Sequence, residues 1–183
     1  MPSKTEHPPL SPSVTSPPQG GRVETAAITG GCQCGAVRYR AASLGRASIC
    51  HCRMCQKAFG GFFGPLVTAN DLKWTRGAPA HFASSNKVRR GFCADCGTPL
   101  TYDYGGEPEI AIGTLDDPEQ AVPAIQVNPA DKLSYFENLH ELPVRKPDDN
   151  EKVAAFMAGI VSHQHPDHDT ETWPPINEKG GGQ

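Results

Sequence analysis

Seven cysteines carry the chemistry of this 183-residue chain, in three clusters: Cys32-x-Cys34, Cys50-x-Cys52-x-x-Cys55 and Cys93-x-x-Cys96. Each lies among turn-forming or small neighbours, in GGCQCG, ICHCRMC and FCADCG. A Cys-x-x-Cys turn points two sulfurs to one side while backbone N–H groups donate to them, and Gly97 can supply a left-handed turn residue. Two such turns from distant parts of the chain complete a tetrahedral thiolate site, the geometry zinc prefers.

Seven thiolates divide naturally into four and three. Four sulfurs make a closed site that holds the fold, whereas three leave one tetrahedral position for water or a substrate ligand. Spacing alone does not settle which pair joins which. The preferred division groups Cys32, Cys34, Cys93 and Cys96 and leaves Cys50, Cys52 and Cys55 as the open set. That triple is dense enough to hold an ion alone, while either pair needs the other, and pinning both ends of a short chain adds folding free energy on the order of 10 kcal/mol. His51, inside the triple, could close it as a fourth ligand. Adjacent residues in an extended turn point apart, however, so an exposed His51 beside the open site is the expectation. Iron–sulfur ligation uses Cys-x-x-Cys-x-x-Cys spacings, which the triple does not match. A redox Cys93/Cys96 pair, or a Cys52–Cys55 disulfide without metal, are further alternatives.

The elements that must position these clusters are short. Val37 and Tyr39 alternate with Arg38 and Arg40, Ile110 with Ile112, and Ile125 with Val127, a period of two that reads as strands. Further strand candidates run Phe62 to Thr68, Ala80 to Ala83, Val88 to Phe92 and Leu100 to Tyr104, separated by Gly, Pro, Asn and Asp. The pattern predicts an all-β sandwich or barrel. One segment breaks it: DDNEKVAAFMAGIV spaces Val153, Phe156, Met157, Ile160 and Val161 as an amphipathic C-terminal helix with a start signal at Asp148 and Glu151, its stripe expected on the sheet.

Composition places the core at residues 26–161. Six of the 18 prolines lie in residues 1–25 and three in residues 162–183, and neither end has a periodic apolar pattern. Residues 1–25 are expected to be a disordered Pro/Ser-rich leader, and 162–183 a disordered His/Pro/Gly-rich tail in which Trp173 offers no core. The net charge of −3 gives no global reason for a polyanion partner. No apolar run suggests a membrane span or a secretory signal. With clustered thiols of odd number, these features predict a cytoplasmic protein without a complete disulfide set.

Four ordered segments, GGCQCGAVRY (Gly30 to Tyr39), CHCRMCQKAFGG (Cys50 to Gly61), GFCADCGTPL (Gly91 to Leu100) and IGTLDDP (Ile112 to Pro118), resemble the glutathione-dependent formaldehyde-activating enzyme family, whose domain is shared with centromere protein V. The resemblance covers about residues 28–146. It implies an Mss4-like zinc-binding β fold of short antiparallel strands and two zinc ions per chain. Cys32, Cys34, Cys93 and Cys96 match the family's structural ligands, and Cys50, Cys52 and Cys55 those of its catalytic zinc. The family's reaction joins glutathione and formaldehyde as S-(hydroxymethyl)glutathione, a carbon–sulfur lyase reaction run in either direction. Arg53, Lys57, Lys87, Arg89 and Arg90 flank the clusters and could receive glutathione carboxylates or stay as solvated charge. Phe59, Phe62 and Phe63 with Gly60 and Gly61 could wall the metal or pack in the core. The expected function is therefore a zinc-dependent lyase for glutathione–aldehyde adducts. The alternatives are a non-catalytic zinc module for a protein or nucleic acid, the latter disfavoured by the acidic balance, and a thiol–metal store or sensor.

Overall fold

A computed structural model describes residues 27–144 and 151–173. Short apolar runs bounded by turn residues can form only short strands, and ten are seen there: β1 (Ile28–Gly31), β2 (Arg38–Ala41), β3 (Ser43–Cys50), β4 (Gly64–Asn70), β5 (Lys73–Arg76), β6 (Ala80–Ala83), β7 (Arg89–Phe92), β8 (Pro99–Asp103), β9 (Glu109–Ala111) and β10 (Ile125–Val127). They form a three-stranded sheet in the order β1-β2-β5 and a seven-stranded sheet in the order β10-β3-β4-β9-β8-β7-β6. The protein is mostly β-sheet with few helices, as the period-two pattern requires.

The expectation of antiparallel strands fails at one pair. β10 runs parallel to β3, with Ile125 opposite Ser48 and Val127 opposite Cys50. The connection between them is the whole intervening chain, long enough for the crossover a parallel pair needs. This pairing brings Val127 to the cysteine triple, where its carbonyl accepts from the His51 N–H at 2.9 Å.

Tyr39, Val67, Leu100 and Ile110 are fully buried and centre one apolar core, which also includes Cys32 and Cys93, with Cys34 and Cys96 packed against it. Tyr39 donates or accepts a 2.9 Å hydrogen bond with the Thr114 hydroxyl, satisfying a phenol that would otherwise be buried dry. The inward/outward alternation expected of β2 is broken at Arg38, only 3% exposed. Its guanidinium is held by Asp116 in a two-pronged ion pair and by Asp169, so a charged residue lies under cover because both its prongs are paired.

Two α-helices are present among the described residues. The unexpected one, α1 (Arg53–Phe59), follows β3 directly. RMCQKAF is made mainly of good helix formers, Cys52 caps its start by accepting from the Cys55 N–H, and Gly60 ends it in the left-handed region at φ 62°. The expected helix, α2 (Glu151–Ala158), forms, but its stripe is not covered: Phe156 and Met157 are exposed. Its start signal at Asp148 and the leader 1–25 lie outside the described residues.

The segment expected to be a free tail packs instead across the first cysteine knuckle as far as Trp173. His165 is 3% exposed, and its N–H donates to the Gln33 carbonyl at 2.7 Å. The Trp173 indole N–H donates to the Cys34 carbonyl, and the His165 and Trp173 rings meet edge-on at 4.8 Å. Composition missed this strap because its anchors are one Trp, one His and one Asp, spread among prolines and polar residues that show no period.

Candidate functional site

The four-cysteine group is built from two turns. Cys32 follows β1, Cys34 lies in the turn to β2, where Gly35 takes φ 75°, and Cys93 follows β7 in a turn closed by Gly97 at φ 76°. The Gly97 N–H returns to the Cys93 carbonyl at 2.9 Å, leaving Cys93 and Cys96 on one side. The sulfurs of Cys32, Cys34, Cys93 and Cys96 all lie within 4.8 Å of one another. The Cys32–Cys34 and Cys34–Cys93 sulfur separations are 3.6 and 3.8 Å. A zinc tetrahedron with arms of about 2.3 Å has edges of about 3.8 Å, so these sulfurs fit that ion. Disulfide sulfurs would be at about 2 Å, and all seven cysteines are free.

Neutral donors serve this group. The Val37 N–H reaches the Cys32 sulfur at 3.2 Å, and the Thr98 hydroxyl lies 3.1 Å from the Cys96 sulfur. Burial pushes Cys96 up, but the hydrogen bonds from Thr98 outweigh it and bring the thiol down to about 6. Burial pushes Cys34 well above the ordinary thiol range.

The second group is assembled locally. Cys50 ends β3, Cys52 caps α1 and Cys55 lies in its first turn, and their sulfurs also fall within 4.8 Å of one another. All three line a cleft of about 520 Å³, together with Arg46, Ser48, Lys87, Arg90, Tyr102 and Glu109, while none of the other four cysteines does. In the four-cysteine group Cys32 and Cys93 are buried in the core with the partly buried Cys34 and Cys96 packed against it, whereas the triple opens on a cavity of ligand size. Burial pushes Cys55 up to about 12, against the pull of the neighbouring Arg90. Cys52 is lowered: burial opposes this, but the Cys55 N–H and the neighbouring thiols favour its charged form.

His51 is not the exposed neighbour expected. It is fully buried; its Nε2 lies 3.0 Å from the Gln126 amide oxygen, and its ring meets Phe136 edge-on at 4.8 Å. It points behind the triple because β10 claims the strand edge beside it. Phe63 joins the same aromatic stack, against Phe136 at 5.6 Å, and Phe62 packs on Tyr135. None of Phe59, Phe62 and Phe63 lines the cleft, so the glycine–phenylalanine segment backs the site rather than covering it.

Of the five basic candidates, Lys87 and Arg90 line the cleft and Arg53, Lys57 and Arg89 do not. Arg53 is engaged by the Gln56 side chain at 2.8 Å. The sequence reading missed Arg46, Ser48, Tyr102, Glu109 and Asn128, which reach the cleft from β3, β8, β9 and the end of β10. The available signal was weak: Arg46 and Ser48 are an alternating pair leading into Cys50, and Asn128 precedes a proline. The segment around GTLDDP lies elsewhere, with Asp116 holding Arg38 and Thr29.

The sequence model of the glutathione-dependent formaldehyde-activating enzymes matches residues 27–130, which contain both cysteine groups. The chain belongs to that family. A crystal structure of a Rhodobacter sphaeroides protein is similar at 20% identity, covering 54% of this chain and 99% of that one with a TM-score of 0.43. As a member of the glutathione-dependent formaldehyde-activating enzyme family, the chain carries two cysteine groups that could hold metal ions, one packed at the core and one facing the 520 Å³ cleft. Among the described residues no helix is long and apolar enough to cross a membrane.

Proposed function

We propose that the protein is a zinc-dependent carbon–sulfur lyase of the cytoplasm, acting on glutathione–aldehyde adducts and joining glutathione to formaldehyde as S-(hydroxymethyl)glutathione. The observation that carries this reading is the opening of Cys50, Cys52 and Cys55, and not of the other four cysteines, onto the 520 Å³ cleft. Cys32, Cys34, Cys93 and Cys96 hold a second zinc that fastens the fold. Zinc held by the triple supplies thiol activation, because a thiol at its open position loses its proton near neutral pH.

The chain's own residues do the rest. Arg46 and Lys87, the exposed cations of the cleft, receive the carboxylates of glutathione and orient its thiol toward the triple. The thiol gives up its proton, its sulfur forms the C–S bond to the formaldehyde carbon, and the carbonyl pair moves to oxygen, which takes up a proton. Glu109 in the cleft wall holds its proton more tightly than an ordinary carboxyl because burial raises it, Arg46 pulling the other way, so it can return that proton to the oxygen. The domain is taken to run over residues 26–161, with the strap 162–173 as an addition to it.

The test follows S-(hydroxymethyl)glutathione formation and breakdown by NMR with the zinc-loaded chain. Acceleration lost in Cys52→Ser supports the reading. A rate no faster than the uncatalysed reaction, and indifferent to Cys52→Ser, overturns it.

A further inference from the structure

Arg90 is the one cation among the described residues seen to touch a cysteine sulfur, and it touches the open group. It is 4% exposed, and its Nη2 donates to the Cys55 sulfur at 3.2 Å. Three contacts fix the side chain: Nε donates to the Ser84 hydroxyl at 3.0 Å, and the guanidinium lies 4.9 Å from the Tyr102 ring centre and 5.9 Å from that of Phe59. Its Nη1 is buried without a partner. Burying a cation this thoroughly is costly unless a negative charge faces it. Among the described residues no carboxylate is seen on it, so the anions that can face it there are the sulfurs of the triple.

The four-cysteine group is treated differently, its sulfurs being served by the Val37 N–H and the Thr98 hydroxyl. Four tethered thiolates are brought together by folding itself. A free ligand is not, and it must be drawn to the open group by its own binding free energy. Three thiolates around a divalent ion carry a net charge of −1, so an anionic fourth ligand approaches against repulsion, whereas a neutral ligand does not. A guanidinium 3.2 Å from one of those sulfurs cancels that repulsion at short range and in a half-buried site, where screening is weak. Arg46 and Lys87 add positive charge at the exposed rim, and Glu109 opposes them.

We propose that Arg90 is a specificity-determining residue whose buried charge makes the three-cysteine cleft select an anionic thiolate over a neutral ligand. This rests on the reading of the triple as an open metal site. It is separate from glutathione carboxylate recognition, because Arg90 is covered by Tyr102 and Phe59 and points at sulfur.

The test uses the full chain loaded with cobalt(II), titrated with 2-mercaptoethanol or with imidazole at one fixed pH and read by visible and near-ultraviolet absorption. The wild type is expected to bind the thiolate in preference to imidazole. Arg90→Gln keeps a donor to Cys55 without the charge, and it is expected to weaken thiolate binding roughly tenfold, the scale of one charge-assisted contact, with imidazole within about twofold. Arg90→Lys keeps the charge and is expected to retain thiolate binding within about threefold, so it decides the matter alone if Arg90→Gln does not fold. Equal weakening of both ligands in either variant, or no change in Arg90→Gln, overturns the proposal. If the wild type responds to neither ligand, the open-site reading itself falls, and Arg90 falls with it. A wild type that binds while Arg90→Gln keeps its preference condemns only the role of Arg90.

Discussion

Gly35 is the point where one added carbon tests the strap. It sits one residue after Cys34 at φ 75°, and a Cβ there would lie 2.3 Å from His165 Cδ2 and 2.5 Å from Trp173 Cδ1 and Nε1. Gly35→Ala therefore has two separable costs. The left-handed backbone costs an alanine about 1–2 kcal/mol whatever surrounds it. The clash in addition displaces the docked rings, forfeiting the Trp173 indole to Cys34 carbonyl hydrogen bond and the edge-on His165–Trp173 ring contact at about 1 kcal/mol each. The total expected in the zinc-loaded full chain is about 3–4 kcal/mol. In a chain already carrying His165→Ala and Trp173→Ala nothing remains to displace, so Gly35→Ala should cost only the backbone part. Urea unfolding followed by circular dichroism of the four proteins gives the coupling, expected near 2 kcal/mol. A coupling under about 0.5 kcal/mol would mean that His165 and Trp173 do not rest on the knuckle in solution, and the docked strap would be refuted.

Three further outcomes follow from the same geometry. If the four-cysteine group holds a structural zinc as proposed, Cys34→Ser should abolish cooperative folding, whereas Cys52→Ser should keep the fold and lower the zinc content from two ions to one; elemental analysis with circular dichroism distinguishes them. Buried thiols such as Cys34 and Cys55, pushed up by burial, must lose protons to a metal, so zinc affinity should rise with pH and loading should release protons, measurable by calorimetry in buffers of different ionisation enthalpy. Asp116 is pulled below the usual carboxyl range: burial opposes this, but Arg38 and Thr29 outweigh it. Its contribution is therefore complete above the unfolded value of about 3.9 and lost as pH falls through the lower folded value. Asp116→Asn should cost about 2 kcal/mol at pH 7, less than a fully orphaned buried charge because Asp169 still holds Arg38, and should flatten the acid limb of stability against pH.

What the sequence made legible was local, and what it hid was long-range. Cys-x-Cys and Cys-x-x-Cys spacings fix where neighbouring sulfurs point, so each of the three clusters was readable by itself, while spacing left open which pair joins which. Period-two runs marked β6 and β8 almost to the residue, because each is bounded by Pro, Ser or Gly. Helix α1 was missed because seven residues hold too few apolar positions to show a period, and its start is set by a cysteine rather than Ser, Thr, Asp or Asn. Arg90 was seen as one of a flanking pair, but only the strand register, with Arg90 opposite Tyr102, turns it inward and sends Arg89 to solvent. The strap had no pattern at all, since three anchors that meet residues more than 70 positions away leave no trace in neighbouring sequence.

The two cysteine groups differ in how far the chain must travel to make them, and this divides their roles. Cys34 and Cys93 are 59 residues apart, so their group forms only when β1, β2, β7 and β8 are already in place, and a metal there is coupled to the whole fold. The triple spans Cys50 to Cys55 and needs only the end of β3 and the first turn of α1, with β10 laid alongside. Its sulfurs can lose or exchange an ion without undoing the sheets, and it can face a cleft because no core depends on its being shut. A site made from distant parts and an open one made from adjacent residues is thus the arrangement that suits the proposed function, in which one metal would bear the cost of folding and the other would be free to meet a substrate.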